Sequence, residues 1–308
     1  MDIDRHSQRI TLRDGRQLGF AEYGKPDGIP LMLFHGTPGS RLLPRLEQAE
    51  WAQRLGFRIL TPERPGYGLS DPAPGRTIAS WADDVEQLAD QLGLKEFHVA
   101  GGSGGGPFAL ACALRLPARV RSATLFCSGS PPECLRITRE MSKNNRLVFF
   151  LARYAPPILR TLFVIMSRKI RKPHKPPSEK AKEKFLSQFC EWDQRILTAQ
   201  KDDKSTVVHV KEAFRQGSAG AYHDIMLVTH AWGLDLGALK VPVYLWHGTA
   251  DTLVPVSSAR AFVKLIPGCE AHFIQDAGHM LLGSKELSSE IMGRIASIED
   301  PDVRIMAS

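Results

Sequence analysis

The chain has 308 residues, of which 43% are hydrophobic and 24% are charged. This composition is typical of a folded globular protein and excludes wholesale disorder. The formal net charge is +7. A basic balance leaves nucleic acid, an anionic membrane surface and acidic substrates open as partners.

The basic excess is concentrated between Arg136 and Lys184. A dense run of cations surrounds His174 there: Arg168, Lys169, Arg171, Lys172 and Lys175. The run lacks interleaved aromatic side chains for base stacking, so we interpret it as a solvated loop and predict no nucleic-acid partner. The apolar stretch 147–166 is interrupted by arginines and prolines, which predicts no stable membrane insertion. Contact of the basic segment with a polyanion or a membrane surface remains the alternative.

The five cysteines form no C-x-x-C pair, and several lie in apolar runs. They are typical of small buried side chains in a reducing compartment, rather than of a disulfide framework or a zinc site. The first residues lack the apolar core of a signal peptide. We therefore predict a cytoplasmic protein with no metal and no cofactor, and the sequence gives no prediction of oligomeric state.

Short apolar runs alternate with longer helical patterns along the first part of the chain. Residues 8–12 and 17–23 predict an opening antiparallel pair that is joined by the Asp14-Gly15 turn. Continuous apolar runs then predict buried strands over 31–34, 58–61, 97–100, 122–127, 243–246 and 271–274. Helical spacing predicts helices over 47–55, 78–92 and 107–116. This order predicts an α/β fold with a mostly parallel eight-stranded sheet flanked by helices.

The alternation stops after Ser128 and resumes near Val241. The intervening residues have a helical pattern with proline-rich breaks. We interpret them as a helical cap inserted between two core strands. The predicted domains are a first core part at 1–130, the cap at 131–234 and a second core part at 235–308.

The segment Gly101-Gly102-Ser103-Gly104-Gly105 matches G-x-S-x-G and lies between a predicted strand and a predicted helix. This context is the one that a nucleophile elbow requires, because a strained turn projects the serine hydroxyl above the sheet. The alternative is a glycine-rich phosphate loop. That alternative needs an acidic residue about twenty positions later, and 119–123 contain none. The motif therefore predicts Ser103 as a nucleophile.

A serine nucleophile requires a base and a group that orients the base. His279 follows the last predicted strand, and Asp251 follows the strand before it. Loops at the carboxyl ends of parallel strands converge on one crevice, and the chain order Ser, Asp, His is the one expected for this arrangement. We predict His279 as base and Asp251 as its orienting acid, with Glu133 as a second candidate for the acid.

The oxyanion of an acyl-transfer reaction needs two backbone donors. The N–H of Gly104 is one candidate, since it begins the helix after Ser103. The loop after the third strand supplies the other at Thr37. We also expect His35 and Gly36 of this loop to contact substrate.

These motifs resemble those of the α/β-hydrolase superfamily over nearly the whole chain. His35-Gly36-Thr37-Pro38-Gly39 resembles its H-G-x-P-G oxyanion loop, and the segment from Glu63 to Ser70 resembles its D-R-x-G-x-G-x-S loop, with Glu63 in place of the usual aspartate. The resemblance implies a serine hydrolase with this triad. Proline iminopeptidases of the family usually have H-G-G-P-G and G-G-S-W-G, from which Thr37 and Gly104 depart.

The substrate class follows from the apolar residues of the predicted cap. We expect Phe150 and Phe163 to line an acyl pocket, and we predict a carboxylesterase that acts on a medium-sized hydrophobic ester or lactone. A C–C bond hydrolase, an iminopeptidase-like peptidase and a non-catalytic ligand receptor on the same fold are the alternatives, because the family hosts many chemistries.

Overall fold

The structure is a computed structural model that describes residues 4–43, 52–135, 139–172, 178–199 and 205–299. Eight strands form one sheet: β1 Gln8–Thr11, β2 Gln17–Gly24, β3 Ile29–Phe34, β4 Phe57–Pro62, β5 Phe97–Gly102, β6 Val120–Phe126, β7 Val243–Gly248 and β8 Glu270–Ile274. Their order is β1-β2-β4-β3-β5-β6-β7-β8. β2 pairs antiparallel with β1 and β4, and every pair from β4 to β8 is parallel. The predicted mostly parallel eight-stranded sheet is confirmed.

Helices cover both faces of the sheet, which explains why its strands are continuously apolar. The core helices are α1 Trp81–Gln91, α2 Gly106–Arg115, α9 Val256–Val263 and α10 Lys285–Glu299. One buried cluster joins α1, α2 and Phe262 of α9 to the sheet. A second cluster packs α10 against the opposite face.

Between β6 and β7 the described residues form six helices, and we call this region the cap. They are α3 Lys143–Tyr154, α4 Pro156–Arg171, α5 Glu179–Leu186, α6 Glu191–Ala199, α7 Ser205–Ala213 and α8 Ala219–Thr229. A third buried cluster joins α3, α4, α7 and α8 to Tyr67 of the core. The predicted helical insertion is thus present, while its exact limits as a domain remain a prediction.

The basic segment differs from the predicted solvated loop. Arg168, Lys169 and Arg171 form the last turn of α4, because the apolar pattern of 156–166 continues the helix through them. His174 and Lys175 lie outside the described residues, as does most of the helix predicted over 47–55. Among the described helices, none combines the length and hydropathy that a bilayer span requires.

Candidate active site

The chain turns sharply at Ser103, directly after β5. Ser103 has a φ of 53° and opens a 3-10 turn, Ser103–Gly105, that leads into α2. A non-glycine residue rarely adopts positive φ, and such strain persists where the surrounding structure holds it. Here the carbonyl of Ser103 accepts a hydrogen bond from the Gly129 N–H at 2.9 Å, which ties the turn to the end of β6. A strand, a strained turn and a helix in this order are the local geometry expected for a nucleophile elbow.

An acid and an imidazole meet at the same edge of the sheet, after β7 and β8. His279 Nδ1 lies 2.7 Å from Asp251 Oδ2. The other carboxylate oxygen accepts the N–H groups of Leu253 at 2.7 Å and Val254 at 2.9 Å. Asp251 therefore has a fixed orientation, and its bond holds a proton on Nδ1, which leaves Nε2 of the neutral ring to act as a base.

The electrostatics of this pair favour a charged imidazolium. Burial disfavours that charge, but the Asp251 carboxylate outweighs burial, with a further contribution from Asp193, so the pKa of His279 is raised. Burial likewise opposes ionisation of Asp251, yet the neighbouring His279 outweighs it, and the pKa of Asp251 is lowered. The arrangement suits a base that becomes positively charged during a reaction.

A carboxylate from the cap holds the loop that carries His279. Asp193 of α6 is fully buried. It accepts the N–H of His279 at 2.9 Å through one oxygen and the N–H of Met280 at 2.8 Å through the other. Its carboxylate fills the space that a side chain at Gly278 would need. The sequence analysis missed Asp193 because an acidic residue in the first turn of a helix is ordinary.

The hydroxyl of Ser103 makes no hydrogen bond to any residue within the described ranges. The candidate nucleophile and the candidate base thus lie on loops at one edge of the sheet without a direct bond between them. In ligand-free enzymes such contacts are often long and tighten when substrate binds.

The two candidate oxyanion donors lie side by side. A Cβ built on Gly104 would lie 3.3 Å from the Thr37 nitrogen and 2.8 Å from the Thr37 Cβ. A Cβ on Gly36 would lie 3.4 Å from the Ser103 Cβ. Gly36, Thr37 and Gly104 therefore surround the serine, and glycine is needed at 104 because the Thr37 side chain occupies the adjacent space.

This contact explains both departures from the iminopeptidase pattern with one steric argument. That pattern places a small residue where Thr37 stands and a large one where Gly104 stands. Here the Thr37 side chain fills the volume that a residue at 104 would occupy. Since close packing tolerates volume-conserving exchanges best, we interpret the pair as one compensated exchange.

His35 shapes the oxyanion loop. Its Nδ1–H donates to the Gly36 carbonyl at 2.8 Å, and its Nε2 accepts the Arg64 N–H at 3.2 Å. Burial, followed by the nearby Arg64 charge, lowers the pKa of His35 well below its usual value, which agrees with a neutral ring. Both ring nitrogens are engaged by backbone groups, so neither supports the predicted substrate contact. Gly36, by contrast, lies against Ser103.

A buried ion pair supports the same loop from behind. The Arg64 guanidinium donates to the carbonyls of His35 at 2.6 Å and Gly36 at 2.9 Å. It also donates to Asp224 of α8 at 2.8 Å, and both side chains are fully buried. Asp224 in turn accepts from the Tyr67 hydroxyl at 2.9 Å and pairs with Arg76.

Asp224 is ionised despite its burial. Burial would raise its pKa, but the charges of Arg64 and Arg76 outweigh burial, and the pKa of Asp224 is strongly lowered. Asp224 is the second cap carboxylate that supports a site loop. No short motif identifies it, since its bond to Arg64 spans 160 residues of sequence.

Glu63, which stands where the family usually has aspartate, is a structural residue. It is fully buried and accepts the Leu69 N–H at 2.6 Å and the Arg41 N–H at 3.1 Å. The Arg41 guanidinium lies 3.0 Å from the same carboxylate. These bonds hold the 63–70 loop closed, so the exchange of aspartate for glutamate retains an anchoring role.

The two phenylalanines predicted to line a pocket occupy different environments. Phe150 is 54% exposed and contacts Tyr154. Phe163 is buried in the cap cluster, where it contacts Tyr222. Neither has a described contact with Ser103, so their predicted substrate role remains without structural support.

One group of ligand-type atoms in the described part of the chain is close enough to hold a metal ion. Cys127, His247 and Asp251 place such atoms within 4.8 Å of one another. Hydrogen bonds already engage His247 Nε2, with the Val254 carbonyl at 2.9 Å, and both oxygens of Asp251. Metal binding there would compete with the bond that orients His279, so the group does not fit a resident metal that works with this pair.

Comparison with known proteins agrees with this fold. The family model described as alpha/beta hydrolase fold matches residues 29–286. The chain is 26% identical over 260 residues to a non-heme chloroperoxidase of Streptomyces lividans, covering 81% of this chain and 84% of that protein. It is 32% identical over 263 residues to 2-hydroxymuconate semialdehyde hydrolase of Pseudomonas putida, covering 82% of this chain and 81% of that protein.

Solved structures show the same architecture. The crystal structure of the esterase RhEst1 from Rhodococcus sp. ECU1013 superposes with a TM-score of 0.64 at 19% identity. The match covers 96% of this chain and 98% of that one. With most of its length matched by the family model, the chain belongs to the alpha/beta hydrolase fold family.

Proposed function

We propose that the chain is a serine hydrolase that cleaves a carboxylic ester or lactone through an acyl-enzyme. The nucleophile is Ser103, the base is His279 and the orienting acid is Asp251. The observation that carries the proposal is the 2.7 Å bond between His279 and Asp251, which lies at the sheet edge where Ser103 is held at positive φ.

The reaction follows from the chemistry of these groups. When substrate brings the Ser103 hydroxyl within reach, His279 Nε2 takes its proton as the oxygen attacks the acyl carbonyl. Asp251 stabilises the resulting imidazolium. The N–H groups of Thr37 and Gly104 bind the tetrahedral oxyanion, and one such donor is worth about 3–4 kcal/mol in other enzymes. His279 then protonates the leaving alcohol, and water releases the acid by the reverse sequence.

A medium-sized hydrophobic substrate is the proposed class. The cap adjoins the site through Asp193 and Asp224, and its buried cluster is apolar. Esterases among the structural neighbours agree with this choice at the level of the fold. A C–C bond hydrolase is the second candidate, favoured by the 32% identity to 2-hydroxymuconate semialdehyde hydrolase.

A substrate panel tests the proposal. Aryl esters, lactones, vinylogous diketones and aminoacyl anilides are assayed with the wild-type chain and with Ser103→Ala. We expect turnover of esters or lactones, and a loss of kcat/KM of at least about 10⁴-fold in the variant. A fluorophosphonate probe should label the wild-type chain and not the variant. Full activity in Ser103→Ala refutes the assignment. If the wild-type chain neither hydrolyses any substrate of the panel nor reacts with the probe, a non-catalytic receptor is the better explanation.

A further inference from the structure

The first two cap helices, α3 and α4, are joined by Ala155 and contact each other, and we call residues 143–172 the cap hairpin. This segment contains eight lysines and arginines and no acidic residue. Its charge of +8 exceeds the net +7 of the entire chain, so the remainder of the protein is close to neutral. The basic character of the protein is therefore a property of this one element.

The cations of the cap hairpin differ from those of the core in their partners. None of the eight forms an ion pair with a residue that the structure describes. Arginines of the core behave differently: Arg16, Arg41 and Arg64 each have a carboxylate partner within 3.0 Å. An unpaired cluster of one sign produces a local positive potential that attracts an anionic surface.

The same hairpin exposes large apolar side chains at helical spacing. Leu147, Phe150 and Tyr154 follow one another by three and four residues on α3, and Ile158, Leu162 and Ile165 do so on α4. These six are 43% to 66% exposed. The neighbouring sides of the same helices pack into the cap cluster through Leu151, Leu159 and Phe163. Each helix thus has one apolar face toward the core and a second toward solvent.

An outward apolar stripe flanked by cations is what an interfacial helix requires. Such a helix lies in the plane of a bilayer, with apolar side chains in the acyl boundary and lysines and arginines at the headgroups. α3 and α4 have 12 and 16 residues, which is too short for a span and suitable for lying on the surface. Tyr154, at the bend between them, has the amphipathic ring that favours this depth.

We propose that the cap hairpin is a docking surface for an anionic phospholipid bilayer. A second copy of the chain fits this surface less well, since an isologous contact would place +8 against +8. A nucleic acid would satisfy the cations but leave the aliphatic stripe in water. The proposal does not depend on the catalytic assignment of Ser103.

The hairpin is also connected to the candidate site. The Ser142 N–H donates to the Thr252 carbonyl at 2.7 Å, and the Asn145 side chain donates to the Leu253 carbonyl at 3.0 Å. Both acceptors lie within two residues of Asp251 in the sequence. A chain docked through the hairpin would therefore hold its candidate site close to the bilayer surface.

Vesicle sedimentation with the full chain tests the surface. We expect binding to vesicles of 70% phosphatidylcholine and 30% phosphatidylglycerol, and weaker binding to vesicles of phosphatidylcholine alone. Addition of 0.5 M salt should weaken binding to the anionic vesicles. The double variant Arg168→Gln/Lys169→Gln should bind the anionic vesicles about 25-fold more weakly, since each cation near the surface is worth about a factor of five. Lys240→Gln/Lys264→Gln removes the same charge elsewhere and should bind as wild type.

A second variant tests the apolar stripe. Ile158→Ser/Leu162→Ser changes exposed side chains, so its thermal unfolding should match wild type, while vesicle binding at 0.5 M salt should be lost. Equal binding by the hairpin and control variants overturns the proposal, and so does absence of binding to anionic vesicles. Ultracentrifugation that shows a dimer dissociated by Ile158→Ser/Leu162→Ser, without vesicle binding, assigns the surface to self-association. Binding of a labelled DNA, measured by fluorescence anisotropy, without any binding to vesicles would also overturn the proposal.

Discussion

Replacement of Asp193 by asparagine isolates what the cap does for the candidate base. The carboxylate accepts two backbone N–H groups of the His279 loop, at 2.9 and 2.8 Å, while fully buried. Hydrogen bonds to a charged acceptor contribute about 1.5–3 kcal/mol each. An asparagine keeps one acceptor oxygen and presents an amide donor to the other N–H. We therefore expect Asp193→Asn to lower the free energy of unfolding by about 2–3 kcal/mol.

The same change should also alter kcat/KM and its pH profile, and these effects distinguish a role in positioning His279 from a role in stability alone. A loop displaced by a fraction of an ångström should lower kcat/KM about 10- to 100-fold. The negative charge of Asp193 contributes to the raised pKa of His279. Without that charge His279 loses its proton at lower pH, and because a base must be neutral, the acid limb of the kcat/KM profile should move to lower pH.

The assay is hydrolysis of an activated aryl ester from pH 5 to 9, with urea unfolding of the same samples. Asp84→Asn is the matched control, since Asp84 is a buried carboxylate of α1 that pairs with Arg16 at 2.7 Å and not with a site loop. It should lose stability without moving the acid limb. If Asp193→Asn retains the wild-type kcat/KM and the wild-type acid limb of its pH profile, Asp193 does not position His279.

Three further predictions concern the oxyanion loop and the base. Gly104→Ala should lose activity and about 1–3 kcal/mol of stability, because its methyl group would collide with Thr37; adding Thr37→Gly should restore the stability, and an equal loss in the double variant would contradict the proposed exchange. Asp224→Asn should destabilise the chain by about 3–5 kcal/mol, since it leaves Arg64 buried beside a neutral partner, and urea unfolding at pH 7 measures this. The lowered pKa of Asp224 means that its stabilisation is present above the unfolded carboxyl pKa and is lost as pH falls toward the folded pKa, so wild type and Asp224→Asn should converge in stability only in strong acid. For the wild-type enzyme, the raised pKa of His279 should place the acid limb of kcat/KM above the ordinary histidine value of about 6.5, and a limb below that value would contradict the stabilisation of the imidazolium by Asp251 and Asp193.

The fold and the candidate triad could be predicted from local signals. A parallel strand covered on both faces is continuously apolar, so the run before Ser103 is recognisable without any structure. Ser103, Asp251 and His279 each follow such a run, and parallel strands bring their carboxyl ends to one edge. The bond between His279 and Asp251 is the contact that this reasoning anticipates.

Contacts between residues that lie far apart in the sequence could not be predicted from such local signals. Asp193 meets the His279 loop across 86 residues of sequence, and its local pattern matches that of any acid in a first helical turn. Periodicity also fails where a helix is apolar on two faces. Phe150 and Leu151 are both apolar in sequence, but only Leu151 is buried, because the packing partner alone decides which face points inward.

The two buried carboxylates of the cap have a consequence for engineering. If the whole insertion were exchanged for one from another hydrolase, Arg64 would lose its counter-ion Asp224. The N–H groups of His279 and Met280 would lose their acceptor, Asp193. A chimera with a foreign cap on this core must therefore retain Asp193 and Asp224 in positions where they contact the same loops. Otherwise Arg64 and the 278–280 turn must be changed so that they no longer need these carboxylates.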